Sequence, residues 1–107
     1  MTSSSYTHVS TDWVNSELQS GRRLTIIDVR TPDEYYGYHI PQAVLRPLDN
    51  LPAVCSEFAS DDHIVLICEH GVRSEMAARY LAGCGYIHVA TMDGGMAAYE
   101  GEVAYGE

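Results

Sequence analysis

The sequence contains no lysine: its six basic residues are all arginines, and they stand against fifteen acidic residues for a formal net charge of −9. This balance argues against binding to the phosphate backbone of nucleic acid or to an anionic membrane surface. Long apolar runs are also missing, because the longest, residues 64–68, is far shorter than the roughly 18 residues that span a bilayer. We therefore expect a soluble protein with no nucleic-acid or membrane partner.

Cysteine is scarce, with Cys55, Cys68 and Cys84 as the only three. An odd number without metal-ligand spacing predicts neither a disulfide framework nor a metal site, and we expect no organic cofactor either. The N terminus lacks the basic and apolar stretches of a secretory signal, which favours a cytoplasmic location. Cys55 and Cys84 fall on apolar helix faces, so we expect both as buried thiols. A helix from Ser74 would place Cys84 about 15 Å from Cys68, too far for a disulfide.

The length of 107 residues predicts one domain, residues 8–107, preceded by a flexible leader over residues 1–7. Apolar patterning predicts strands over 24–29, 43–45, 64–68 and 87–91. It predicts one helix that begins at Ser10 or Thr11, and further helices over 31–37, 49–58, 74–83 and 96–100. Trp13 and Tyr80 are expected to face the core. This alternation predicts an α/β fold: a mostly parallel central sheet with helices on both faces. In such folds ligands bind beyond the carboxyl ends of the strands.

The loop after the buried strand 64–68 is the strongest candidate site. It begins with a thiol, Cys68, and leads into a helix past Gly71 and Arg73. A glycine lets successive amide N–H groups converge on one point, and the helix N-terminus and arginine add positive charge. These groups favour a thiolate, so Cys68 is the predicted nucleophile. The predicted substrate-binding residues follow it in the loop: Glu69, His70, Gly71, Val72, Arg73 and Ser74.

Several separated motifs resemble those of the rhodanese-like sulfurtransferases. They are Ile27-Asp28-Val29-Arg30, Glu34 followed by His39-Ile40-Pro41 and Ala43, Ile67-Cys68 with Gly71 and Arg73-Ser74, and Gly94-Gly95 with Met96 and Ala98. The resemblance implies a single domain whose cysteine takes a sulfane sulfur from a donor such as thiosulfate or a persulfide, holds it as a persulfide and passes it to a thiol or cyanide. Cys68 matches the catalytic position, and residues 69–73 match the substrate loop.

Two residues outside the loop are candidates for the border of the site. Asp28 and Arg30 recur in the family's motif, although Arg30 with Glu34 has the spacing of a structural ion pair near a helix start. His39 is interpreted as a hydrogen-bonding strut rather than a proton shuttle. Glu69 departs from the family's pattern. Its carboxylate beside the predicted nucleophile predicts weak use of thiosulfate and a preference for persulfides.

Two other functions remain open on the sequence. A carrier module could deliver persulfide to a sulfur-relay protein without turnover of small molecules. A cysteine-dependent phosphatase or arsenate reductase needs the same thiolate and anion cradle, but the phosphatases place five residues between cysteine and arginine. Four residues separate Cys68 from Arg73 here, which favours a single sulfur atom over a tetrahedral phosphate.

Overall fold

The computed structural model describes residues 5–106 and contains one five-stranded sheet. The strand order is β1-β5-β4-β2-β3, and all neighbouring strands are parallel. The strands are β1 (Thr7–Val9), β2 (Thr25–Asp28), β3 (Val44–Leu45), β4 (His63–Ile67) and β5 (His88–Met92). The helices are α1 (Thr11–Gln19), α2 (Pro32–Gly37), α3 (Leu51–Val54, after a 3-10 turn at Leu48–Asn50), α4 (Val72–Gly83) and α5 (Gly95–Ala98).

The central strands bury both of their faces. Alternate residues of a strand point to opposite sides, so Ile27 and Leu66 pack with α3 and α4 in one cluster. Ile26 and Ile67 pack in a second cluster, which includes residues of α1 and α5. The predicted α/β fold, with a parallel sheet covered on both faces, is confirmed.

Helices α1 and α2 begin where the sequence predicts, because side chains cap their first turns. Ser10 Oγ accepts a hydrogen bond from the Trp13 amide at 3.0 Å. At α2, Thr31 Oγ1 accepts from the Glu34 amide at 3.3 Å, and Glu34 Oε1 accepts in return from the Thr31 amide at 3.0 Å. This reciprocal capping box holds Glu34 at the N-terminal turn of α2.

The N-terminal prediction needs correction. Residues 1–4 of the expected leader lie outside the described residues, but Thr7 pairs with Ala90 as the first residue of β1. A three-residue edge strand has too little apolar alternation to be recognised in the sequence. Trp13 was expected in the core but is 39% exposed, and Tyr80 is 43% exposed. On α4 the buried positions are instead the small residues and one leucine: Ser74, Ala77, Ala78 and Leu81.

The helix expected over 49–58 is also shorter than predicted, since α3 ends at Val54. The Tyr86 hydroxyl takes the place of the next helical hydrogen bond. It donates to the Val54 carbonyl at 2.6 Å and accepts from the Phe58 amide at 3.1 Å. This contact between distant segments stops the helix.

Cys55 and Cys84 form a disulfide, with their Cα atoms 5.6 Å apart. The expectation that both are buried free thiols is therefore wrong. Cys55 follows α3 and Cys84 follows α4, and the fold brings these two helix ends together across 29 residues of sequence. Sequence spacing does not encode that approach. Cys68 remains as a free, buried thiol.

Candidate active site

The candidate site lies where the sequence predicts, beyond the carboxyl ends of the parallel strands. Cys68 follows β4, and Asp28 is the last residue of the adjacent strand β2. The loop from Cys68 to Gly71 then leads directly into α4. Because the central strands share one direction, the polar residues at their ends meet at this edge of the sheet.

Two backbone N–H groups point at the Cys68 sulfur. The Gly71 amide donates to Sγ at 3.0 Å and the Ser74 amide at 3.2 Å. Gly71 has φ 99°, a left-handed conformation that strains any residue with a Cβ, and this turn aims its amide at the sulfur. The first amides of α4 have no acceptor within the helix and add partial positive charge. Both amide donors therefore converge on the atom that the sequence predicts as the nucleophile.

The Ser74 side chain supports the same loop. Its Oγ lies 3.5 Å from Cys68 Sγ, donates to the Gly71 carbonyl at 3.2 Å and lies 2.8 Å from Thr91 Oγ1. Ser74 and Thr91 are both buried, so these contacts fix the orientation of the serine hydroxyl. Thr91 was not singled out in the sequence, although a hydroxyl in an otherwise apolar buried strand was a signal that could have identified it.

The glycine turn at the start of α5 supports the loop after Cys68 through backbone hydrogen bonds. The Met96 amide donates to the Cys68 carbonyl at 2.8 Å, and the Ala97 amide donates to the Glu69 carbonyl at 2.9 Å. Gly95 allows this approach, because a Cβ on it would lie within 2.5 Å of the Cys68 carbonyl oxygen, and its φ is 63°. These contacts thereby fix the backbone of Cys68 and Glu69.

Arg30 is fully buried and ties three segments together at the border of the site. Its guanidinium and amide donate to the Asp28 carboxylate at 2.8 to 3.1 Å, and its Nη2 donates to the Tyr38 carbonyl at 2.6 Å. Its Nη1 donates to Glu69 Oε1 at 3.1 Å. Burial opposes the charge of Arg30, but the bonds to Asp28 and the charges of Asp28 and Glu69 outweigh it and raise the pKa of Arg30.

The expected ion pair between Arg30 and Glu34 is not formed. Glu34 instead accepts two hydrogen bonds from Arg73, at 2.8 and 2.9 Å. The helical spacing suggested the wrong partner because Arg30 precedes α2 and turns inward to Asp28. The bond from Arg73, together with the Thr31 amide, lowers the pKa of Glu34 to about 2. The pair joins the first turn of α2 to the first turn of α4.

The remaining predicted residues occupy different environments. His39 is buried, stacks on Tyr35 with ring centroids 3.8 Å apart and bonds the Tyr35 carbonyl through Nδ1 at 2.8 Å, which confirms the strut. His70 is exposed on the loop, and Val72 is exposed as the first residue of α4. Tyr38 was missed: its hydroxyl donates to Glu69 Oε2 at 3.3 Å, and burial followed by the Glu69 charge raises its pKa.

Among residues 5–106, no three histidine, cysteine, aspartate or glutamate side chains are grouped as a metal would require. None of the helices in that range is long and apolar enough to cross a membrane.

Comparisons with known proteins agree with this geometry. A family model described as a rhodanese-like domain matches residues 10–102. The thiosulfate sulfurtransferase GlpE of Pseudoalteromonas translucida is 36% identical over 91 residues, 85% of each chain. The putative sulfur carrier protein YrkF of Bacillus subtilis is 35% identical over 99 residues, but the chain spans only 54% of its length. The crystal structure of a rhodanese-like domain protein from Staphylococcus aureus superposes with a TM-score of 0.85 at 30% identity, covering 94% of this chain and 99% of that one.

Proposed function

The chain belongs to the rhodanese-like domain family, and from that premise we propose that it transfers a sulfane sulfur through a persulfide on Cys68. The observation that carries the proposal is the pair of amide donors, from Gly71 and Ser74, that converge on Cys68 Sγ. Named sulfurtransferases among the relatives support sulfur transfer at the level of the family. The donor, the acceptor and the role of Cys68 are the proposal's own content.

In the first step the Cys68 thiolate attacks the terminal sulfur of the donor. A new S–S bond forms on Sγ while the donor's own bond to that sulfur breaks, and the leaving group departs with the electron pair. A persulfide donor leaves as a thiolate, and thiosulfate leaves as sulfite. The amides of the loop stay in place as negative charge moves from Sγ to the outer sulfur, so they need no rearrangement during the step.

In the second step an acceptor removes the outer sulfur. A thiolate acceptor attacks it and becomes a persulfide, whereas cyanide becomes thiocyanate. The Cys68 sulfur leaves with the electron pair and returns to the thiolate state, held again by the Gly71 and Ser74 amides. No net oxidation occurs over the cycle, so the reaction needs no redox cofactor.

The position of Arg73 favours sulfur over phosphate as the cargo. A phosphatase needs its loop arginine to hold phosphate oxygens with both prongs of the guanidinium. Here both prongs bond the Glu34 carboxylate, at 2.8 and 2.9 Å. An incoming phosphate would have to displace a paired carboxylate, whereas a single sulfur atom on Cys68 needs only the backbone amides.

A single-turnover experiment tests the proposal and separates an enzyme from a carrier. Protein reduced at all cysteines is loaded with thiosulfate or glutathione persulfide, desalted and then mixed with cyanide or a thiol. We expect one sulfur per chain to load and then to appear in the acceptor product. Loading followed by transfer to neither small acceptor would favour the carrier role, and no loading of the wild type would contradict the proposal.

The matched controls are serine variants of the three cysteines. Cys68→Ser should take up no transferable sulfur while remaining folded, because the change is nearly isosteric. Loaded with thiosulfate, Cys55→Ser and Cys84→Ser should each carry one sulfur and release it as the wild type does. Cys68 is intact in both of these variants. Loss of transfer in either one would therefore show that the proposal places the transferred sulfur on the wrong cysteine.

A further inference from the structure

The second feature with thiol chemistry lies at the far end of α4 from the candidate site. Cys84 caps the C-terminal end of α4, while Cys68 Sγ binds the amide of Ser74 in its first turn. Ten residues of helix separate Ser74 from Cys84, about 15 Å. A disulfide needs Cα atoms within about 7 Å, so Cys68 cannot exchange directly with Cys84 in the folded chain.

Tyr86 brings Cys55 and Cys84 together independently of the bond between them. Its hydroxyl donates to the carbonyl of Val54, next to Cys55, at 2.6 Å, and accepts from the Phe58 amide at 3.1 Å. Tyr86 itself is 5% exposed and lies two residues after Cys84. These contacts join the same two segments as the disulfide, so we expect them to keep the two cysteine backbones close in the reduced chain as well. The folded chain thus provides a high effective concentration of each thiol for the other.

The pair lies near the surface of the molecule. Cys55 and Cys84 are half-buried, and exposed residues adjoin them: Ser56 after Cys55, and Gly83 and Gly85 on either side of Cys84. A chain of this size also buries enough surface to fold without a covalent staple. We therefore expect the reduced chain to stay folded and its two thiols to react with small reagents.

We propose that Cys55 and Cys84 are a reversible dithiol–disulfide couple, a thiol site separate from Cys68, that small compounds with a reactive S–S bond oxidise. Such a compound is a low-molecular-weight disulfide or a persulfide. Closing the couple links the end of α3 to the end of α4 and leaves Cys68 free. The oxidation state of the pair thereby follows the thiol redox state of its surroundings, while Cys68 stays reduced.

The chemistry balances with either reagent. One thiolate of the pair attacks oxidised glutathione, forms a mixed disulfide and expels a glutathione thiolate. The second thiolate attacks the mixed disulfide and expels another, so the pair is oxidised by two electrons and two glutathione thiols form. With a persulfide, the first attack takes the outer sulfur and expels a thiolate, and the second attack expels that sulfur as sulfide.

The test equilibrates the Cys68→Ser chain in glutathione buffers of graded ratio, traps free thiols with N-ethylmaleimide and counts them by intact mass. The Cys68→Ser background removes the proposed sulfur-transfer site, so the outcome is independent of that activity. We expect the number of free thiols per chain to change reversibly between zero and two as the glutathione ratio changes. The circular dichroism spectrum should stay native throughout. Tyr86→Phe should need a buffer at least roughly fivefold more oxidising, because it removes both hydrogen bonds of the hydroxyl and the loss of one alone implies about that factor. Tyr105→Phe, at an exposed tyrosine, should match its parent.

Two separate arms identify the reagent. Reduced protein is treated with oxidised glutathione or with glutathione persulfide, and released sulfide is measured in the second arm. Closure by either reagent supports the couple, and one sulfide per chain marks the persulfide as the source. A pair that stays oxidised until the chain unfolds, a pair that neither reagent closes, or an unchanged midpoint in Tyr86→Phe would overturn the proposal.

Discussion

The buried guanidinium of Arg30 binds the Glu69 carboxylate, with Nη1 donating to Oε1 at 3.1 Å. Glu69 directly follows the predicted nucleophile, and its charge was expected from the sequence to repel a dianionic donor. The carboxylate is only 25% exposed and also accepts from the Tyr38 hydroxyl. The charge beside Cys68 is therefore a paired charge, and its repulsion of a donor is weaker than that of a free carboxylate.

Removing the Glu69 charge should change donor preference only slightly. We expect Glu69→Gln to raise kcat/KM for thiosulfate relative to glutathione persulfide by less than about threefold, because Arg30 already offsets the charge. Asp33→Asn, at an exposed acid outside the loop, is the matched control for loss of net charge. A rise of tenfold or more in Glu69→Gln alone would mean that the carboxylate acts on the donor as a free charge.

The pair between Glu34 and Arg73 should make stability depend on pH. The pKa of Glu34 is lowered from 4.5 to about 2, so the folded chain binds this proton less readily than the unfolded chain. The pair's contribution is complete above pH 4.5 and is lost as the pH falls through about 2. Since both side chains are one-third exposed, solvent limits that contribution to about 1 kcal/mol.

Urea unfolding of the wild type and Glu34→Gln at pH 6 and pH 3 measures this contribution. Glutamine keeps the capping box, so the variant removes the charge alone. The difference in unfolding free energy between the two proteins should fall by about half from pH 6 to pH 3. An equal difference at both pH values would show that the ion pair does not stabilise the fold.

Gly95→Ala should damage the loop from its far side. The new Cβ would meet the carbonyls of Cys68 and Glu69, and the residue would keep a positive φ that alanine resists. We expect a loss of about 2 to 4 kcal/mol in unfolding free energy and slower alkylation of Cys68 by iodoacetamide. Gly37→Ala, which has open space and an ordinary backbone, serves as the control. Equal effects of both changes on unfolding free energy and on alkylation would show that the glycine turn does not support the loop.

The site's backbone was predictable because its signals are local. A thiol at the end of an apolar run, Gly71 three residues later and a strong helix beginning near Ser74 all lie within one short stretch of sequence. The capping residues Thr31 and Glu34 are local in the same sense. Each of these interactions joins residues at most six positions apart, so the pattern carries the geometry.

The partners of charged and sulfur-bearing side chains were not predictable in this way. Glu34 reaches Arg73 across 39 positions, and Cys55 reaches Cys84 across 29. Tyr86 ends α3 from 32 positions away through its bond to the Val54 carbonyl. These pairings depend on which helix ends meet after the sheet has assembled, and nothing in the local spacing specifies them.

The most direct test of the account is to locate the transferred sulfur. Reduced protein is exposed to glutathione persulfide, alkylated and digested, and each cysteine peptide is weighed by mass spectrometry. The account predicts one added, acceptor-removable sulfur on the peptide that contains Cys68, with none retained on the peptides of Cys55 or Cys84. Stable, transferable sulfur on either of those peptides, or none on the Cys68 peptide, would contradict it.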